Sequence, residues 1–245
     1  MKASVSPATL ILAAIGLLVS SAFSQDAVVL KDGQRREGQI LGVTGDSLRI
    51  KVGPAETGIP LAGVSSVTMT PPKAFDDAVT AWQKGDAAAT IAVLKPLVGT
   101  YLGLPTKWSS RAAALLGEAY VTDGKITEAE AAFADFQKAY PDDANSADVG
   151  LARIAVAKKD YETARAKLTP IVEGAAKELY PSAGENAVFG RALLLMGEIQ
   201  ESTGDNPAAL SNYLLAATVF REDKAVVAKA EARANALEQK KVIVP

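Results

Sequence analysis

The chain has 245 residues, 49% hydrophobic and 22% charged, with a formal net charge of −2. It holds no cysteine and no histidine, which excludes disulfides, thiol nucleophiles, a Ser-His-Asp triad and the ordinary Cys/His zinc sites. Abundant alanine with only 6% aromatics favours packed helices, and the charge balance lacks the basic excess of a nucleic-acid binder.

Residues 1–24 read as a signal peptide. Met1-Lys2 gives a positive start, residues 9–19 an apolar run, and Ala22 and Ser24 the small residues that precede a cut before Gln25. The run is short for a membrane span, which needs about 20 apolar residues. The expectation is a chain exported to the periplasm or secreted, with no stable span after cleavage; an uncleaved N-terminal anchor is the alternative.

Residues 25–70 change pattern. Val28-Val29-Leu30 is a short strand ended by the turn pair Asp32-Gly33. A second strand covers residues 36–43, with glycines where it can bend. Residues 47–52 alternate, so that Leu48, Ile50 and Val52 share a face. Residues 56–60 and 65–69 supply a fourth and a fifth strand, separated by a turn of helix at Leu61-Ala62-Gly63-Val64. Five short strands with tight turns predict a small β-barrel. The order of Leu30-Lys31-Asp32-Gly33, Glu37-Gly38-Gln39-Ile40, Ile59-Pro60-Leu61 and Val64-Ser65-Ser66-Val67 resembles the Sm-like and SH3-like barrels. RNA binding, common among Sm-like proteins, does not transfer: residues 25–73 hold no stacking aromatic. Arg35 and Arg36 read as a solvated hairpin end.

Pro71-Pro72 is a short stiff linker. From residue 73 to 241 the pattern is helical and repeated. In residues 110–143, Leu116-Gly117, Tyr120, Gly124, Ala129, Phe133 and Pro141 stand where a helical hairpin needs them. Gly117 and Ala129 let two helices cross closely, the larger side chains fill the seam, Gly124 ends the first helix and Pro141 the second. Thr127 with Glu130 reads as a capping box. Leu151-Ala152, Ala155, Ala164, Leu168 and Ile171 repeat the pattern, as do Met196-Gly197, Gly204, Ala209, Tyr213 and Ala216. Ala78, Ala81, Gly85, Leu94 and Leu97 form a degenerate first unit. The wider spacing from Ala164 to Ala209 predicts an insertion around residues 174–185, with Pro181-Ser182-Ala183-Gly184 as its loop. Residues 224–241 form a polar closing helix, and residues 242–245 a tail.

These hairpins resemble the tetratricopeptide repeat (TPR) family. Phe136 departs from it, since the family prefers a small residue there. The predicted fold is mainly α: a TPR-like α-α solenoid of about four hairpins plus a capping helix, preceded by the small barrel. The resemblance implies a concave face lined by the first helix of each hairpin. Its groove positions fall on Phe75, Val79 and Trp82, then Arg111, Glu118 and Val121, then Val149 and Arg153, and last Arg191, Leu194 and Glu198. Trp82 reads either as helix-packing core or as a binding anchor.

The sequence carries few motifs of chemistry. G-x-S-x-G, S-x-x-K, G-x-x-x-x-G-K, G-x-G-x-x-G and H-E-x-x-H are all missing. Asp142, Asp143, Asn145 and Asp148 cluster without the glycine and distal glutamate of a calcium loop, and read as a helix start. No catalytic residue, metal or cofactor is expected. The expected function is non-enzymatic: an envelope scaffold holding a protein or peptide segment, with no nucleic-acid partner. Self-assembly through the barrel is a second reading, and a carboxylate-dependent glycan hydrolase a third.

Overall fold

The computed structural model describes residues 26–178 and 180–244. The expected signal segment lies outside them. Among the described residues, five strands precede nine α-helices.

The strands are β1 (Asp26–Leu30), β2 (Arg35–Thr44), β3 (Ser47–Val52), β4 (Ala55–Pro60) and β5 (Val64–Thr68). A 3-10 turn at Leu61–Gly63 separates the last two. All pairings are antiparallel, in the order β4-β3-β2-β1-β5. The long strand β2 serves two neighbours. Arg35 to Gly38 pair with β1, and Gln39 to Thr44 pair with β3. The register slips between Ile40 and Gly42, a bulge that bends the strand. Val28, Ile40, Leu48, Ile50 and Ile59 fill the inner face. Val52 was expected to share that face, but it lies at the end of β3 and is 44% exposed. β4 and β5 form the two edges of the sheet, with no ladder between them among the described residues.

The helices are α1 (Lys73–Gln83), α2 (Ala87–Tyr101), α3 (Lys107–Thr122), α4 (Ile126–Ala139), α5 (Ala144–Ala157), α6 (Tyr161–Lys177), α7 (Ala183–Ser202), α8 (Asn206–Thr218) and α9 (Lys224–Gln239). The turns at residues 84–86, 123–125, 158–160 and 203–205 are alike. In each, the middle residue has positive φ: Gly85 at 77°, Gly124 at 75°, Lys159 at 61° and Gly204 at 90°. The next amide reaches back five residues to a carbonyl: Asp86 to Ala81, Lys125 to Tyr120, Asp160 to Ala155 and Asp205 to Gln200. This closure satisfies carbonyls that a helix end otherwise leaves bare. In three of the four turns the third residue is an aspartate that also caps the following helix. Asp86, Asp160 and Asp205 accept from the amides of Ala89, Thr163 and Ala208. The hydrogen bonds from Thr163 hold the Asp160 carboxyl below the usual range. So short a turn forces each helix pair to run antiparallel.

Two sequence expectations change here. Lys125 stands at the N-cap of α4 without a side-chain cap, so Thr127 and Glu130 are inside the helix and form no capping box. The capping box is found at α7 instead: Ser182 accepts from the Glu185 amide, and the Glu185 carboxylate accepts from the Ser182 amide. Ala183 and Gly184, expected in a loop, therefore sit in the first turn of α7. The inserted residues go into longer helices: α6 has 17 residues and α7 has 20.

Small residues set the crossings. A Cβ on Gly117 would lie 2.6 Å from the Phe133 ring, and one on Gly150 would overlap the same ring. Phe133, on α4, is thus clasped between α3 and α5. A Cβ on Gly197 would lie 2.5 Å from the Tyr213 ring, so α7 and α8 meet by the same device. Ala129, Ala164 and Ala209 are fully buried at the matching crossings. Phe136, the departure from the repeat pattern, is buried among Ala113, Ala114 and Ala147, so the small residues sit on its neighbours. Beyond the hairpins, α1, α3, α5, α7 and α9 each touch the next of that odd-numbered set, which makes one continuous layer.

The first core runs from Val28 and Leu48 of the sheet through Phe75, Leu94 and Trp108 to Ile154; the second extends from Val149 to Leu237. The sheet therefore shares its interior with the first helices.

Two outcomes follow for stability. Gly150→Val should lower it by about 1–3 kcal/mol through overpacking against Phe133, with part regained on adding Phe133→Leu. An unchanged urea midpoint would refute the clasp. Lys159→Gly should raise stability by up to about 1 kcal/mol, since a side chain in the left-handed region is strained. Calorimetry of the two proteins measures it, and a lower melting point would contradict it.

Candidate functional site

The odd-numbered layer surrounds a cavity of about 110 Å³. Trp82 of α1 and Glu118 of α3 face it. Val149, Gly150 and Arg153 come from α5, and Arg191, Leu194, Leu195 and Glu198 from α7. Asp223, Ala225, Val226 and Lys229 close it from the start of α9. The helical period explains the convergence: Val149 and Arg153 are one turn apart, and Arg191, Leu194 and Glu198 share one face of α7.

A buried carboxylate organises the polar side. Glu118 is only 8% exposed. Arg191 Nη1 donates to its Oε1 at 3.1 Å, and Arg153 Nη1 lies 3.9 Å from its Oε2. The first is a hydrogen-bonded ion pair and the second is a longer Coulombic contact. One side chain thereby ties α3 to α5 and α7. Lys229 of α9 sits on Glu198 as an ion pair not aligned as a hydrogen bond. One turn further along, Arg233 reaches Glu201 at 3.2 Å, and Glu201 accepts from the Tyr213 hydroxyl at 2.9 Å. Burial, and next the Glu201 carboxylate, push the Tyr213 hydroxyl well above its ordinary pKa.

Of the groove positions read from the sequence, Trp82, Glu118, Val149, Arg153, Arg191, Leu194 and Glu198 line this cavity. Phe75, Val79, Arg111 and Val121 do not. Phe75 is buried 6.1 Å from Trp108, centroid to centroid. Arg111 lies over the Phe75 ring at 5.9 Å, a cation–π distance. Val79 and Val121 pack on the first core. Trp82 fits both of its readings: it packs against that core and also faces the cavity. The contribution of α9 was missed, because its alanine-rich pattern reads as a cap. Val226 and Lys229, three apart on one face, carried the signal.

Asp142 and Asp143 lie in a 3-10 turn before α5. Asp143 accepts from the Ser146 hydroxyl at 2.7 Å, and Asp148 pairs with Lys167 at 3.0 Å. Arg35 and Arg36 are exposed on β2, with Arg35 on Glu37 at 2.9 Å. A second, more open hollow of about 330 Å³ lies between Leu41 to Thr44 of β2, the Arg49–Glu56 pair, and Gly99 and Thr100 of α2. Among the described residues no helix is long and apolar enough to cross a membrane.

Compared with protein-family models, with curated proteins and with solved structures, the chain matches none.

The ion pairs make contrasting predictions. Glu118→Gln should cost about 3 kcal/mol, because it leaves the Arg191 charge in a largely buried place. Arg153→Gln should cost less than about 1 kcal/mol, since Arg153 is at the rim and makes no hydrogen bond to Glu118. Urea unfolding of both variants measures the difference; equal losses would refute this division of roles.

Proposed function

We propose that the chain is an exported, non-enzymatic interaction scaffold, a TPR-like solenoid whose first helices form a concave wall that holds a segment of another protein. In this reading the N-terminal sheet is a Sm-like barrel docked on the first hairpin. The observation that carries it is the convergence of groove positions, chosen by repeat register alone, from α1, α3, α5 and α7 on one cavity. The surface is mixed: an aromatic and several aliphatic side chains beside both signs of charge. That composition suits a protein segment better than a phosphate backbone. The exported location rests on the signal pattern of residues 1–24. Catalysis forms no part of the proposal. Glu118 and Glu198 each lie on a cation, and a carboxylate pair for glycan hydrolysis needs one member protonated and free to donate.

A second reading, self-assembly, is favoured by one observation: among the described residues β4 and β5 are the edge strands of the sheet, each paired on one side only.

The test is capture from envelope extract with the purified chain lacking residues 1–24. A partner recovered by the wild type and by Lys138→Glu, a change on the exposed outer side of α4, should fall at least about tenfold with Arg153→Glu. Equal recovery of every partner across the three proteins would count against the cavity. A change seen only on altering β4 or β5 would favour the self-assembly reading.

A further inference from the structure

The hairpins match two at a time. A step of 74 positions takes Ala78, Ala81, Lys84, Asp86, Leu94 and Pro96 of the first hairpin to Ala152, Ala155, Lys158, Asp160, Leu168 and Pro170 of the third. A step of 80 takes Arg111-Ala112, Leu115, Gly117-Glu118, Gly124 and Ala129 of the second to Arg191-Ala192, Leu195, Gly197-Glu198, Gly204 and Ala209 of the fourth. Helix length accounts for the change of step: α6 has 17 residues against 15 in α2, and α7 has 20 against 16 in α3. Local structure alternates in the same way. Pro96 and Pro170 lie inside α2 and α6, whereas α4 has no proline and α8 has one only at its start. α3 and α7 each begin on a hydroxyl that follows a proline: Thr106 accepts from the Ser109 amide and Ser182 from the Glu185 amide. α1 and α5 have no side-chain cap. Packing agrees as well. Phe136 is buried beside Ala113 and Ala114. The matching positions hold Ala216 beside Leu193 and Leu194, so the bulk has moved from one helix to the other, a change that close packing tolerates only when both sides make it.

We infer that residues 73–140 and 147–220 are two tandem copies of one four-helix unit, and that Glu118 and Glu198 are its clamp: a carboxylate on the third helix that fastens the helix opening the stretch that follows. Glu118 takes Arg153 of α5, and Arg191 of α7 besides. Glu198 takes Lys229 of α9. Asp143 stands ahead of α5 and Asp223 ahead of α9, separated by the same step of 80 that separates Gly124 from Gly204. α9 therefore occupies the place where a third copy begins, and the clamp that orders α5 orders α9. Both glutamates are positioning residues, and no ligand is needed to account for them.

Two measurements on the chain lacking residues 1–24 test this. The first is a melting series. Phe136→Ala leaves a cavity and Ala113→Leu overfills the same contact, so each should melt below the wild type. The double variant copies the pairing of Leu193 with Ala216 and should melt above Phe136→Ala by about 3 °C. A double variant that melts at or below Phe136→Ala would overturn the duplication. Should Phe136→Ala fail to fold, a folded double variant carries the same support and an unfolded one the same refutation. The second is hydrogen exchange followed by mass spectrometry. Glu198→Gln should speed exchange of the α9 amides at least about tenfold and leave α1 to α4 unchanged. Glu231→Gln, on the exposed side of α9, should change neither. Unaltered exchange of α9 in Glu198→Gln, or an equal rise in Glu231→Gln, would overturn the clamp.

Discussion

Everything beyond residue 72 depends on how closely neighbouring helices approach. Phe133 can lie flat between α3 and α5 only because Gly117 and Gly150 present no Cβ to its ring. Gly197 gives Tyr213 the same access to α7. Interiors are packed too densely for such contacts to be adjusted by small shifts. The crossings fix the rotation of each helix, and with it the faces that look inward along the odd-numbered layer. The four alike turns reinforce this: each spends three residues and closes with the same five-residue hydrogen bond, so the four pairs leave their turns in the same phase. The cavity lies where faces of five helices, with Asp223 just ahead of α9, look inward.

Within that frame Glu118 has an unusual position. It joins helices that are not sequence neighbours, through Arg191, 73 residues away. Burying a carboxylate is unfavourable in itself, and a hydrophobic side chain of similar size often stabilises as well or better. The Glu118–Arg191 hydrogen bond is directional, and it is made only while α3 and α7 keep this arrangement. The Lys229 and Arg233 contacts of α9 extend the same logic to the end of the layer, with more exposed and therefore weaker pairs.

Much of this was legible in the amino-acid order. Alternation in residues 47–52 and the turn pair Asp32-Gly33 located the strands, because side-chain period and left-handed turns are local properties. The glycines at 85, 124 and 204 marked helix ends for the same reason. Lys159 fills the equivalent place with a side chain, so the third turn had no glycine to announce it. Gly150 was overlooked because its role is to face a ring 17 positions earlier, and no local rule points there. The groove positions of α3, α5 and α7 came out well where the repeat was regular. They failed for Phe75 and Val79 on α1 and for Arg111 and Val121 on α3, where packing against Trp108 and the sheet-side core claims Phe75, Val79 and Val121. The part played by α9 depends on contacts across 32 positions, from Arg233 to Glu201, and periodicity alone does not reach that far.

The prolines at 71 and 72 separate strands from helices along the chain, yet the apolar interior runs straight past them. At one point strand β2 touches α2 directly: Gly42 faces the Thr100 carbonyl so closely that any side chain at 42 would strike it. At the other end of the chain α9 packs on α7 and α8. With the sheet's interior shared in this way, loosening the sheet would also uncover apolar side chains of α1, α2 and α3, among them Phe75, Leu94 and Trp108.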